Sequence, residues 1–367
     1  MYALNQYILR VKLWVSRTVS MKPNITLHIG TEKTGSTTIQ HFLKDNRSIL
    51  NTQGIYIPNT LGDINHQYFP FLAYSDEKKD DVTRRVRNIY QQQSRVKQKR
   101  SILKELRHEI KQNSNKNWII SSEYLQSRLT TPEDMHRLKE LTDELFAEVS
   151  IVIYLRDPLK TAISMWSTVI KSGTSKFSLG KPGSCSHCDH QKILKRWLKV
   201  YNISQIKVRL FDKNKFIGGE LINDFCDACK VINSDSMVKP PKENESISYK
   251  GIILLSQIFD YLKAQKPESI YPKLKEKPRL RHKFIRMIAN HCQSMGRYIP
   301  TNEEISEWDE FYKPSENFVR ENFFPEYDER LWEKYKSTEI KPSIESIYWT
   351  EETVKLLAES FMIILDR

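Results

Sequence analysis

Residues 25–29, ITLHI, form a short run rich in β-branched side chains. A Gly- and Thr-rich stretch, GTEKTGSTT, follows, and then IQHFLKDNRSIL with apolar residues at helical spacing. That succession predicts strand, loop and helix. Three more apolar runs read as buried strands: WIISS at 118–122, SIVIYL at 150–155 and IKVRLF at 206–211. Helices are predicted over 132–148 and around 193–201, ahead of the last two. Strands that are continuously apolar and separated by helices predict a parallel sheet covered on both faces. From about residue 239 the strand signals stop, Pro240 and Pro241 mark a boundary, and the remainder reads as helices broken by Pro-containing loops.

Two further helical patterns carry charge. Residues 84–116 contain only two acidic residues, and Val82, Val86, Ile89, Val96, Leu103, Leu106 and Ile110 fall at roughly helical spacing. The pattern predicts one long amphipathic helix with a basic outer face. That face is either simply solvated or an electropositive wall for a polyanion. At the N-terminus, Leu4, Tyr7, Ile8, Val11, Trp14 and Val15 line one side of a basic segment whose apolar run Arg10 and Lys12 interrupt. Three readings stand for it: a helix on a membrane surface, a helix packed on its own domain, or a non-native extension upstream of Met21. No run of about 20 apolar residues exists to span a bilayer.

Composition sharpens this picture in one respect. The chain has 367 residues, with 58 Lys and Arg against 45 Asp and Glu, a net charge of +13. Such an excess concentrates anionic ligands near the surface without choosing among nucleotide, nucleic acid, acidic glycan or headgroup.

The chemistry begins at the Gly-rich stretch. A loop between a parallel strand and a helix cradles phosphate through backbone N–H groups and the helix N-terminus. A nucleoside-triphosphate loop reads G-x-x-x-x-G-K-[ST], with lysine after the second glycine. Here Lys33 precedes Gly35, and Ser36, Thr37 and Thr38 are hydroxyl residues. The loop suits one terminal phosphate with a short reach by Lys33. Its partner is Arg156, expected at the C-terminal edge of the strand over 150–155, with Ser164 eight residues later on the following helix. Arginine there suits bidentate capture of a second phosphate in the crevice where such sheets bind ligands.

Both motifs resemble the superfamily of sulfotransferases that use 3′-phosphoadenosine 5′-phosphosulfate (PAPS), particularly its bacterial carbohydrate-type members. The resemblance covers about residues 24–232, including NRSILNTQGIYIP, IISSEYL and VRLFDKNKFIGGELINDF, and touches NESIS at 244–248. It implies an α/β fold of P-loop type, three layers around a central parallel sheet, with a helical C-terminal portion. The expected parts are an amphipathic extension over 1–20, a PAPS-binding core over 21–238, and helices over 239–367 that close over the acceptor. It further implies that Lys33, Thr34, Gly35, Ser36, Thr37 and Thr38 hold the 5′-phosphosulfate while Arg156 and Ser164 hold the 3′-phosphate. PAPS is then the donor, PAP the product, and no catalytic metal is expected. For the family's late basic glycine loop, Lys250-Gly251 is the nearest match.

The implied reaction moves a sulfuryl group to a hydroxyl, less often an amine, of a carbohydrate, glycolipid or polysaccharide, anionic ones included. Lys33 meets the charge growing on the leaving group, and the attacking hydroxyl needs a base. His66, in the loop after the first helix, is the first choice, with Glu123 at the end of the second strand as orienting group or alternate base. Cys185, Cys188, Cys226 and Cys229 form two C-x-x-C pairs, either a structural zinc knuckle or packed thiols. Five cysteines is an odd count, which argues against a complete disulfide framework. The sequons at Asn24 and Asn46 flank the loop. Both features favour the cytoplasm, with contact at the cytoplasmic face of a membrane as an option and no nucleic-acid partner. The rival readings are a kinase of the same fold and a non-catalytic binder of polyanions.

Overall fold

A computed structural model describes residues 22–78, 92–176, 178–240, 247–265, 277–293, 295–333, 335 and 348–366. The N-terminal segment and the first part of the basic pattern, through residue 91, lie outside the described residues. By its contacts the chain divides into two compact units, Met1–Leu155 with Gln191–Lys242, and Arg156–His190 with Glu243–Arg367.

The first unit holds a five-stranded parallel sheet: β1 (Ile25–His28), β2 (Ile55–Tyr56), β3 (Asn117–Ser121), β4 (Val149–Leu155) and β5 (Ile206–Leu210). Their order is β2-β3-β1-β4-β5. In register, His28 lies between Ser121 of β3 and Val152 of β4. Four strands match the apolar runs in the sequence. The edge strand β2 escaped notice because two residues are too few to show a period. Helices cover both faces, as continuous burial of β4 requires. On one face Ile119, Val152 and Tyr154 pack with Ile39, Phe42 and Leu43 of α1 (Ser36–Asp45), Leu50 of α2 (Arg47–Thr52) and Phe225 and Cys226 of α9 (Leu221–Cys229). On the other, Trp118 meets Phe146, which meets Phe69 of α3 (Tyr68–Ala73).

The basic pattern folds as α4 (Gln92–Gln112). The buried stripe of α4 runs through Arg95, Ile102, Leu106, Glu109 and Ile110. Arg95 is only 3% exposed, and its Nε donates to the Asp76 carbonyl at 3.0 Å. Lys99 donates to the Tyr74 carbonyl and pairs with the Asp76 carboxylate at 3.0 Å. Two of the cations expected on the outer face therefore tie α4 to the segment after α3. Lys97 and Arg100 remain exposed.

Beyond α5 (Tyr124–Arg128), α6 (Pro132–Leu145) begins where the sequence predicts, and the structure adds a capping box in which Thr131 accepts from the Asp134 N–H. It ends three residues before the sequence pattern suggests. The helix expected around 193–201 is α8 (His190–Trp197).

The second unit contains α7 (Pro158–Lys171), α10 (Tyr249–Gln265), α11 (Pro278–His291), α12 (Asn302–Phe323) and α13 (Glu351–Asp366). Trp166, Leu255, Phe284, Trp308 and Phe361 share its core, and Phe284 stacks on Phe361 at 3.9 Å. Gly251 lies within α10, where a Cβ would come 2.6 Å from Ile247 Cγ2 and 3.1 Å from Cys292 Cβ. Lys250-Gly251 is thus a packing position on a helix and not the late basic loop that the resemblance suggested.

Substitution separates the two kinds of cation on α4. Arg95→Ala removes a buried charged donor to the Asp76 carbonyl and should cost about 1–3 kcal/mol, whereas Lys97→Ala should stay within about 0.5 kcal/mol. Urea unfolding of the two variants tests this; equal midpoints would mean that the Arg95 contacts contribute nothing to stability.

Candidate active site

The loop leaving β1 is laced by its own hydroxyls. Thr31 donates from Oγ1 to the Tyr154 carbonyl of β4 at 2.9 Å. Thr34 donates from Oγ1 to the Thr31 carbonyl at 2.7 Å and accepts from the Thr31 N–H at 3.2 Å. The Thr34 hydroxyl therefore shapes the loop, and its remaining donor for a ligand is the backbone N–H. Lys33 adopts φ 71°, a left-handed conformation that costs a residue with a Cβ about 1–2 kcal/mol. Gly35 follows at φ 74° and caps α1, where a Cβ would meet Leu221 Cδ2 at 2.4 Å.

The start of α1 is open. No side chain caps it and its first turn holds no acidic residue. The leading N–H groups of a helix lack intrahelical partners and carry the positive end of the helix dipole. Ser36, Thr37 and Thr38 occupy this turn, with Ser36 buried and Thr37 exposed. Ser36, Thr37, Thr38 and Lys33 are the residues that the sequence assigned to the phosphosulfate, and an uncapped helix start is chemically suited to an anion.

Glu123 follows β3 by two residues, next to the loop: a Cβ on Gly30 would lie 3.3 Å from Glu123 Cβ. Both carboxylate oxygens are held. Gln40 of α1 donates from Nε2 to Oε2 at 2.7 Å, and Asn65 donates from Nδ2 to Oε1 at 3.0 Å. Asn65 in turn accepts from the Ser122 hydroxyl at 2.7 Å, which fixes its amide orientation. Burial raises the Glu123 pKa, partly offset by its own backbone N–H and by Gln40. Glu32, one step along the loop, lies 3.8 Å from Arg128.

His66 has a different task from the one its loop position suggests. It is 1% exposed. Its backbone N–H donates to the Ser121 carbonyl at 3.1 Å, and its Nδ1 accepts from the Ser121 N–H at 2.9 Å. An imidazole whose Nδ1 accepts a backbone N–H carries its proton on Nε2 and has no lone pair left to act as base. Burial, reinforced by the charge of Arg47, lowers its pKa to about 3. His66 pins the 59–67 loop to the end of β3 and so delivers Asn65 to Glu123. His28 of β1 is a second buried imidazole, bonded through Nδ1 to Ser121 Oγ at 2.8 Å, and burial likewise lowers it to about 3.

Sequence reading missed Gln40 and Asn65. Gln40 left a trace: it is a polar residue between Ile39 and Leu43 on the buried face of α1, only 3% exposed. Asn65 gave none, because its role depends on a loop crossing to another strand.

In the second unit Arg156 and Asp157 directly precede α7. Asp157 caps the helix by accepting from the Lys160 N–H at 2.7 Å, and Pro158 occupies the first turn. Burial lowers the Arg156 pKa, opposed by Asp157, yet an arginine stays charged throughout the physiological range. Ser164 is half-buried on α7, and its carbonyl accepts from the Thr168 hydroxyl at 3.1 Å.

All five cysteines are free thiols. Cys185 and Cys188 close a turn through the Cys188 N–H to the Cys185 carbonyl at 3.1 Å, and the Cys188 thiol donates to the Pro158 carbonyl at 3.2 Å. Cys226 and Cys229 lie on α9, in the other unit. Among the described residues no group of three or more His, Cys, Asp or Glu side chains is arranged to hold a metal ion. No helix of the described residues is long and apolar enough to cross a membrane.

The chain is similar to two solved structures. One is a sulfotransferase from Alicyclobacillus acidocaldarius, at 17% identity and a TM-score of 0.37, with 68% of this chain and 96% of that one covered. The other is the sulfotransferase domain from the curacin biosynthetic pathway, at 11% identity and a TM-score of 0.32, with 61% and 78% covered. No family model matches the chain, and no curated protein matches it.

The two imidazoles on Ser121 make stability depend on pH. Unfolded, each titrates near 6.5; folded, near 3. Between those values the unfolded chain binds more protons, so stability is full above pH 6.5 and is lost as pH falls through the window. Denaturant midpoints should drop from pH 7.5 to pH 5, before most carboxylates titrate. A flat profile there would show that these imidazoles do not resist protonation in the fold.

Proposed function

We propose that the chain is a sulfotransferase that takes the sulfuryl group of PAPS and delivers it to a hydroxyl of a carbohydrate, glycolipid or polysaccharide. The observation that carries this reading is the open, uncapped start of α1 behind a lysine that precedes Gly35, with a half-buried carboxylate beside the loop. A kinase loop would place its lysine after that glycine, where Ser36 stands.

Backbone N–H groups of residues 33–38 and the hydroxyls of Ser36, Thr37 and Thr38 would hold the 5′-phosphosulfate, and Arg156 with Ser164 the 3′-phosphate. When bound, PAPS supplies a sulfuryl group attached to a phosphate that leaves readily. Lys33 and the α1 amides stabilise negative charge developing on the departing phosphate oxygen, and do so best as that charge grows. Glu123 is the base: a carboxylate oxygen accepts the proton of the attacking hydroxyl, and burial strengthens it for that task. His66 supports the site as a loop clamp. The acceptor is drawn from sugar hydroxyls on the strength of the family resemblance, and the exposed Lys97 and Arg100 favour an anionic one.

Two measurements test the reading. Calorimetry should show PAP binding far more tightly than AMP, with Arg156→Ala weakening PAP by about 10- to 100-fold and leaving AMP unchanged. Equal affinities for the two nucleotides would remove the 3′-phosphate site and with it the sulfotransferase reading. On a panel of glycans with labelled PAPS, Glu123→Gln should reduce transfer by about 10²- to 10⁴-fold while PAP affinity holds. Near-normal transfer in that variant would dismiss Glu123 as base, and transfer from ATP in its place would favour a kinase.

A further inference from the structure

Glu123 is reached by three elements of the first unit. It stands two residues after β3, Gln40 projects to it from α1, and Asn65 reaches it from the 59–67 loop. Each neighbour gives one neutral N–H to a different carboxylate oxygen. The carboxylate's own backbone N–H adds a third donor, and with two lone-pair sites on each oxygen one of the four sites stays free to accept a proton. Gln40 lies on the helix whose opening turn forms the anion site, four residues after Ser36 and therefore about one turn along the same face. Both of these side-chain donors are neutral, and burial raises the Glu123 pKa more than the charge of Arg128 lowers it.

We propose that Gln40 and Asn65 are positioning residues for Glu123, and that Gln40 sets the carboxylate relative to the anion site because one rigid helix carries both. This rests on the reading of Glu123 as the base. The two amides fix the carboxylate against rotation and favour its ionised form, so a proton acceptor stands ready at a constant distance from the loop. The His66 clamp on Ser121 serves the same end by holding Asn65 in place. Neither amide takes up or releases a proton.

The test follows the carboxyl group itself. In chain labelled with [δ-¹³C]glutamate, the Glu123 resonance is the one that Glu123→Gln abolishes. Gln40→Met keeps the length and volume of the side chain but removes the donor, so the midpoint of Glu123 should rise by about one pH unit or more. Asn65→Leu should do the same from the other oxygen, and it answers the question if Gln40→Met does not fold. PAP affinity should stay within about twofold in both. With glycan acceptors, the acidic limb of the rate profile should move up by the same amount as the NMR midpoint, a result that general loosening of the fold would not give. An unchanged Glu123 midpoint in a folded variant overturns the proposal, whatever the rate. A raised midpoint in a chain that transfers no sulfuryl group would keep the positioning role and reject the function.

Discussion

The first backbone N–H groups of α1 have no intrahelical partner, and the residue at its cap, Gly35, has no side chain to supply one. Buried polar groups left in that state cost free energy unless a ligand or water satisfies them. The surrounding structure is arranged to keep this turn open. Thr31 and Thr34 direct their hydroxyls into the loop and onto β4, away from the helix start. Gly35 takes a left-handed conformation at a point where Leu221 leaves no room for a Cβ. The absence of acidic residues from the first turn removes the usual internal competitor for an anion.

The carboxylate next to this turn is hydrogen-bonded by neutral side chains; burial raises its pKa, and the charge of Arg128 also acts on it, lowering it. Glu123 is bound by two carboxamides, and the nearby imidazoles of His28 and His66 stay uncharged because burial disfavours their protonated forms. A guanidinium against Glu123 would have pulled its pKa down and weakened it as a base. Amide donors orient a carboxylate with less loss of basicity. Ser121 links both imidazoles, one through its hydroxyl and one through its backbone N–H, so the end of β3 is braced from two directions.

The basic surface is smaller than the charge count suggests. Arg95 and Lys99 belong to the seam between α4 and the 74–76 segment, where carbonyls and the Asp76 carboxylate receive them. Long cationic side chains often bury their stems and bring the charge to a local partner. Net charge thus overstates the field offered to a polyanion, and only exposed positions such as Lys97 and Arg100 contribute to it.

The local pattern was enough to foretell four strands, the Gly-rich loop, the helix behind it and the start of α6 at Pro132, since each depends on residues adjacent in the chain. A run of β-branched residues, a glycine at a turn and a proline in a first helical turn act through neighbours. The edge strand β2, the inward turn of Arg95, the clamp made by His66 and the grip of Gln40 and Asn65 on Glu123 are different in kind. Each joins residues separated by 19 to 83 positions, and β2 needs β3 beside it to exist at all. Histidine in a polar loop reads as a titratable base until the fold buries its ring against a backbone N–H. Sequence alone determined which groups of this chain are chemically able to bind an anion and move a proton. The tertiary structure decided which of them keep a free lone pair, because burial and hydrogen-bond partners are properties of the packed chain.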